Sequence, residues 1–583
     1  MRDWWRLSSD RRVCVAALCL AFGIVAASCA ASNGPDPVAS KGGDAPIGTS
    51  AVGSYLAGRH AERERDLNNA ARYMVDVLQK DPDNFEVLSR AHLLLLADGR
   101  FDDAVAVAKR IVQLNAANPQ ANVTLAVADA RAGNFAAADK RLESLPQAGA
   151  NRVVLPLMRA WLQLAQSQPQ AGIDTLRTLG QIDGFRPLQD YHAALISDVA
   201  GRSEDAERYY RAALGLENGP SVRLVESAGN FFERHGKRDA AREIYTRYAG
   251  QFPDSVTLTA AMARVNSSGP PPKPVVATPV EGLAEALFNV AGALRQESGG
   301  QLGLVYGRLA LALDPDKPAG LLLVADILDN FGRYPESNAL FARIPKDSPL
   351  SYSARLRIAE NYQSMGQPDE AIRELQELSA ERPDRIEALV ALGQLLRIQQ
   401  RFAEAAQAYD RAIARLPSIE PRHWALFYAR GISYERSKQW ARAEADFLRA
   451  LELQPEQPDV LNYLAYSWVE QGLNYDRALQ MLERAVQLRP NSGHIIDSLG
   501  WVLFRLGRYQ EAVPLLERAV ELMPEDPVLL DHLGDAYWRV GRIAEARFQW
   551  QRSLRNKPEP DVRAEVERKL ERGLAASTSS QSR

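Results

Sequence analysis

Apolar residues recur at helical spacing along most of the chain, and the helical stretches themselves recur at a fixed interval. Residues 499–526 read LGWVLFRLGRYQEAVPLLERAVELMPED, and 34 residues later 533–560 read LGDAYWRVGRIAEARFQWQRSLRNKPEP. Gly500 aligns with Gly534, Gly507 with Gly541, Ala512 with Ala546 and Pro524 with Pro558. The apolar period on either side of the central glycine predicts two amphipathic helices per unit. A small residue in the first helix lets its antiparallel partner approach closely. Glycine at the turn admits φ > 0. Proline closes the second helix and starts the next unit.

The interval continues toward the N-terminus. Before Gly500, the small position is taken in turn by Tyr466, Gly431, Gly393, Ala359, Ala325 and Ala291, then by Gly229, Ala194, Ala160, Ala126, His92 and Gly58. With Gly534 this makes fourteen units. His92 and Tyr466 are not small, so Ala91 or Ala465 is the alternative occupant there. The turn returns as ADGRFDDA, RAGNFAAA, NFGRYPES and SMGQPDEA. The weakest units are 153–179, which lacks the turn glycine, and 284–315. One helix pair cannot bury its apolar face alone, whereas stacked pairs can. The expected fold is therefore all-α, a superhelical solenoid of about fourteen antiparallel pairs with a concave and a convex face. Val562, Val566, Leu570 and Leu574, four residues apart, predict a capping helix over 561–574, followed by a frayed tail at 575–583.

The register is lost once, at NSSGPPPKPVVATPV, residues 266–280, where five of fifteen residues are proline. This reads as a stiff extended joint between two blocks, 51–265 and 281–560, that move relative to each other. The start of the chain reads as a targeting segment over 1–28. Arg2, Arg6, Arg11 and Arg12 precede the apolar run 13–28, which has the length of a signal-peptide core. Ala26, Ala27 and Ser28 lead to Cys29, which resembles a lipobox and makes Cys29 the candidate lipidation site. Ordinary cleavage after Ala30 is the alternative, and would leave a soluble periplasmic protein. Residues 29–50 are small, polar and rich in Pro and Gly, a tether of roughly 25 Å root-mean-square span.

Composition removes several function classes. The chain of 583 residues is too long for one core, and 70 Lys+Arg against 73 Asp+Glu give no basic footprint for nucleic acid. The three cysteines, Cys14, Cys19 and Cys29, leave the body without a disulfide or thiolate zinc site. There is no HExxH, P-loop, GxSxG or dinucleotide fingerprint. No enzyme activity, cofactor or small-molecule substrate is expected. One set, His494, Asp497, Asp531, His532 and Asp535, lies on the first helices of adjacent units. It reads as polar peptide-binding contacts, with a metal site as the alternative.

From about 51 to 560 the repeats resemble the tetratricopeptide repeat (TPR). That resemblance implies that positions 2, 5, 9, 12 and 13 of each first helix line the concave, partner-binding surface. The corresponding residues are His494, Asp497, Trp501, Phe504 and Arg505 in one unit and Asp531, Asp535, Trp538 and Arg539 in the next. Tyr428, Arg436 and Tyr463 come from the two units before. Aromatic and Arg side chains are common interface anchors, although Trp501 and Trp538 fit inter-helix packing equally well. The Lys/Asn/Arg clamp for terminal carboxylates is absent, the nearest pairing being Glu226 with Asn230. The run IIDSLGWVLFRLGRYQEAVPLLERA, with LNYLAY one unit earlier, is similar to the last repeats of long bacterial TPR lipoproteins. Some of these act as adaptors for a carboxyl-terminal processing protease and bring cell-wall hydrolases to it. The implied function is a non-enzymatic envelope scaffold at the outer membrane, facing the periplasm. A scaffold for polysaccharide export or secretion machinery, and a non-catalytic subunit of an enzyme complex, are the alternatives.

Overall fold

Many units open on a residue that satisfies the first backbone donors of a helix. Ser50 accepts from the amide of Gly53, Asn84 from Val87, Asn118 from Ala121, and Asp526 from Val528 and Leu529. Pro119, Pro318, Pro458 and Pro527 stand in the first turn, where a missing N–H loses no helical bond. The computed structural model describes residues 50–215, 220–251, 256–267, 269–295 and 300–574. The expected signal segment, Cys29, the tether up to residue 49 and the tail from 575 lie outside the described residues.

Thirty α-helices and no strand occur among the described residues. Twenty-eight of them form fourteen antiparallel pairs, from Ala51–Arg63 with Leu67–Lys80 to Pro527–Arg539 with Ile543–Arg555. The other two are Val256–Asn266, which follows the sixth pair, and Pro560–Arg572, the expected capping helix. Within each pair the small position does the work assigned to it. A Cβ on Gly229 would stand 2.2 Å from the Tyr245 ring, and one on Gly534 would stand 2.5 Å from Trp550. Gly393 meets Tyr409, Gly431 meets Phe447 and Gly500 meets Leu516 in the same way, always sixteen residues on. Where the first helix carries His92, position 108 is alanine, and both are buried. Ala91 and Ala465 are fully buried too.

The chain divides into two compact units, the first ending at Glu374 and the second beginning at Leu375, within helix Pro368–Glu381. This differs from the expected joint at 266–280. In the first unit, helix Pro279–Leu294 packs on Asn151–Ala165 and Arg186–Val199, and Gln301–Leu313 packs on Phe85–Asp98 and Pro119–Arg131. The Pro-rich run therefore returns the chain onto its own earlier repeats instead of separating two blocks. The physical reason is apolar burial. Leu283, Leu287, Leu304 and Trp161 belong to one continuous core that runs from Ala61 to Ile358. Gly282 is pressed against Trp161, where a Cβ would stand 2.1 Å from the ring. Arg333 also pairs with Asp98 at 3.3 Å. The second unit stacks its pairs from Glu387–Ile398 onward and ends under the capping helix.

Candidate functional site

The residues expected to line the groove of the second unit divide into an open set and a buried set. In the open set, Trp501 stacks on His532 with ring centroids 3.9 Å apart and on Phe504 at 4.8 Å. Its indole Nε1 donates to Glu470 at 2.7 Å, and Arg505 meets the same carboxylate at 3.2 Å. Arg436 is exposed, its guanidinium 4.9 Å from the Phe402 ring. Half-buried Tyr463 donates to Glu435 at 3.1 Å, and Arg539 lies 6.0 Å from the Tyr509 ring. His494 is half-buried. Together these present stacked aromatics bordered by charges of both signs, a surface able to hold a polypeptide through π, apolar and ionic contacts.

The buried set differs from expectation. Tyr428 is 6% exposed and packs edge-on against Tyr463 at 5.9 Å, so it is inter-helix core. Asp531 and Asp535 are covered by the capping helix, which brings the ammonium of Lys569 to 2.8 Å from each. Asp535 also accepts from Trp550 Nε1 at 2.9 Å, and Asp497 is joined to His532 Nδ1 at 2.9 Å. The acids that suggested metal ligands are thus engaged by a lysine and a histidine. Trp538 is half-buried against Trp550, centroids 5.4 Å apart, under Gly573. Burial pushes His532 toward its neutral form, but Asp497 beside it wins and raises its pKa. Burial and the charge of Asp531 push Asp535 up to about 6, against the pull of Lys569. Lys569 escaped the sequence reading, although it sits one place from the apolar stripe residue Leu570, on the face that turns inward.

A cavity of about 890 Å³ belongs to the first unit, and the sequence did not point to it. Helices Val222–Arg234, Val256–Asn266, Pro279–Leu294 and Pro318–Asn330 surround it. Phe288 and Leu322 supply apolar wall; Arg264, Arg295, Glu226 and Asp326 supply charge. The Pro-rich run borders the cavity and is held through its main chain. Asn230 Nδ2 donates to the carbonyl of Lys273 at 2.7 Å, Lys317 Nζ to that of Val275 at 3.3 Å, and Arg238 to that of Ser267 at 2.7 Å. Beneath lies a buried ion pair. Arg223 grips Glu285 with two hydrogen bonds of 2.8 and 2.6 Å, and Tyr191 donates to the same carboxylate at 3.0 Å. Burial alone would raise the Glu285 pKa, but Arg223 holds it well below the usual carboxylate range. His192 accepts from Trp161 Nε1 at 3.0 Å, and burial lowers its pKa to about 4, which keeps it neutral.

Profiles described as tetratricopeptide repeat match residues 55–122, 198–256, 356–418 and 428–561, and a second such profile matches 95–160. The chain is 26% identical over 156 residues to the TPR repeat-containing protein PA4667 of Pseudomonas aeruginosa, which is 27% of this chain and 26% of that protein. It is 27% identical over 198 residues to human tetratricopeptide repeat protein 13, 33% of this chain and 22% of that one. The matched stretch thus spans about a quarter of each curated relative. Among solved structures, similarity extends to the APC/C hetero-tetramer Cut9–Hcn1 (16% identity, 84% of this chain and 96% of that chain, TM-score 0.35). It extends also to a tetratricopeptide repeat protein of Parabacteroides merdae (17% identity, 43% and 96%, TM-score 0.36). With profiles matching more than half its length and fourteen helix pairs in its structure, this chain belongs to the tetratricopeptide repeat family.

Proposed function

We propose that the protein is a scaffold that holds extended segments of partner proteins, and that the cavity of the first unit is a principal seat. The observation that carries this reading is the Pro-rich run beside that cavity. Asn230, Arg238 and Lys317 hold its backbone by carbonyl contacts that do not depend on side-chain identity. The same wall, with open volume next to it, suits a second extended chain. The stacked face around Trp501 and Arg505 is a second contact surface, and two surfaces on one chain favour avidity or two clients. Gly292 lines the cavity, and a Cβ there would meet nothing within 4 Å. Gly292→Trp should therefore fill the seat and abolish cross-linked capture of partners in cells, with circular dichroism and melting unchanged. Capture surviving this change while Arg505→Glu/Arg539→Glu removes it would move the seat to the second unit.

The finer reading is an exported adaptor tethered at Cys29 to the outer membrane, recruiting a periplasmic protease or cell-wall enzymes. The basic-then-apolar leader, the small residues before Cys29 and the polar tether support it. Scaffolding of an export or secretion system is the alternative. Cys29→Ser should shift the protein from the membrane to the soluble fraction; membrane retention of that variant would sink the lipid anchor.

A further inference from the structure

A smaller cavity, about 150 Å³, lies in the first unit where helix Gln301–Leu313 meets the turn between Phe85–Asp98 and Phe101–Leu114. Its walls include Leu96, Phe101, Leu311, Ala312 and two guanidinium groups, Arg308 and Arg343. Arg343 is engaged, donating to the carbonyl of Pro315 at 2.7 Å and to Asp316 at 3.2 Å. Arg308 forms no hydrogen bond or ion pair with the described residues, and its Nε is shut off from solvent. It rests against the backbone of Gly99, whose φ of 86° suits glycine and where a Cβ would stand 3.2 Å from the guanidinium carbon. Arg333 adds a second orphan nearby. Its Nη2 serves Asp98 and Glu336 at 3.3 and 2.6 Å, while its Nη1 is buried without a partner. Arg308 is half-buried, and a charge partly withdrawn from water without a close partner is unfavourable. Burial, aided by the like charge of Arg333 and opposed by the carboxylates of Asp98 and Glu336, lowers the Arg308 pKa to about 10, which still leaves it a cation at neutral pH.

We propose that this cavity is a binding site for a small oxyanion, with Arg308 as its main ionic partner and Arg343 at its rim. A guanidinium fork matches the paired oxygens of a carboxylate or phosphate. The volume admits either group but falls below the roughly 300 Å³ at which sites for larger organic ligands begin. The aliphatic walls favour a carboxylate with a short apolar tail over inorganic phosphate, whose charge would face Leu96 and Leu311.

The test is thermal unfolding of the full chain titrated with acetate, isobutyrate or inorganic phosphate, each against chloride at matched ionic strength. Wild type should show a saturable rise in Tm with a carboxylate. Arg308→Met should need about tenfold or more anion for the same rise, and in chloride it should be at least as stable as wild type. Ala312→Phe, which fills the cavity and leaves Arg308 in place, should also remove the rise, and this guards against a folding defect in the first variant. A rise with phosphate alone would keep the oxyanion site and reassign its ligand. No anion-specific rise in wild type, or equal rises in all three proteins, overturns the proposal.

Discussion

Single positions in this chain act through size. Gly534 exists so that Trp550, fully buried, can lie across it. Gly534→Ala should cost about 1–3 kcal/mol of stability by overpacking, measured by urea unfolding. Trp550→Leu in the same chain should recover part of the loss, because the two residues share one space. The smallness of the first-helix position was legible from the repeat. Its partner sixteen residues on was equally present in the sequence, but only the packed pair shows why the two vary together. The charged cluster under the capping helix acts through pH. Folding raises the pKa of both His532 and Asp535. A raised pKa adds stability that is complete below the unfolded value and is lost as pH rises through the folded one. For Asp535 that loss runs from roughly pH 4 to about 6; for His532 it begins near pH 6.5 and extends above. Asp535→Asn should therefore flatten the fall in urea midpoint between pH 4 and 6. An unchanged slope would count against this assignment.

Among the elements, the recurring device is the left-handed residue that follows most of the first helices. Gly507 and Gly541 take it without strain, but Arg65, Ser167, Gln400 and Lys438 adopt the same conformation. A side-chain-bearing residue there is disfavoured by roughly 1 kcal/mol. Gln400→Gly should stabilise the second unit by about 0.5–1 kcal/mol, and Gly541→Ala should destabilise it by about 1 kcal/mol, both read from denaturation midpoints. The unit around Ser167 looked weak in sequence because it lacks the glycine, yet its turn is the ordinary one. The capping helix is an element whose role the sequence announced by its apolar stripe. That it also delivers Lys569 to Asp531 and Asp535 depended on which way one long side chain turned, and no periodicity encodes that.

For the whole molecule, the decisive feature is that helices Pro279–Leu294 and Gln301–Leu313 pack on earlier repeats of the same unit. The two units that match the repeat least well, 153–179 and 284–315, are parties to that packing. Trp161 and Gly282 serve each other across the sequence gap, which pulls both away from the usual pattern. Gly282→Leu should destabilise the first unit by about 2–3 kcal/mol and raise hydrogen exchange across both 279–313 and 151–199. Two independent blocks joined at 266–280 would leave 151–199 unaffected.

The repeat interval, the number of helix pairs, their turns and the cap were all readable in one dimension, because each depends on neighbours a few tens of residues apart and recurs fourteen times. The return of the seventh pair onto the earlier ones, the cavity that this leaves, and the burial of Asp531, Asp535 and Tyr428 were settled only in three dimensions. The first two depend on which apolar faces meet across a hundred residues or more, and the burials on how side chains such as Lys569 turn 34 to 38 residues away; a local pattern carries no record of either choice.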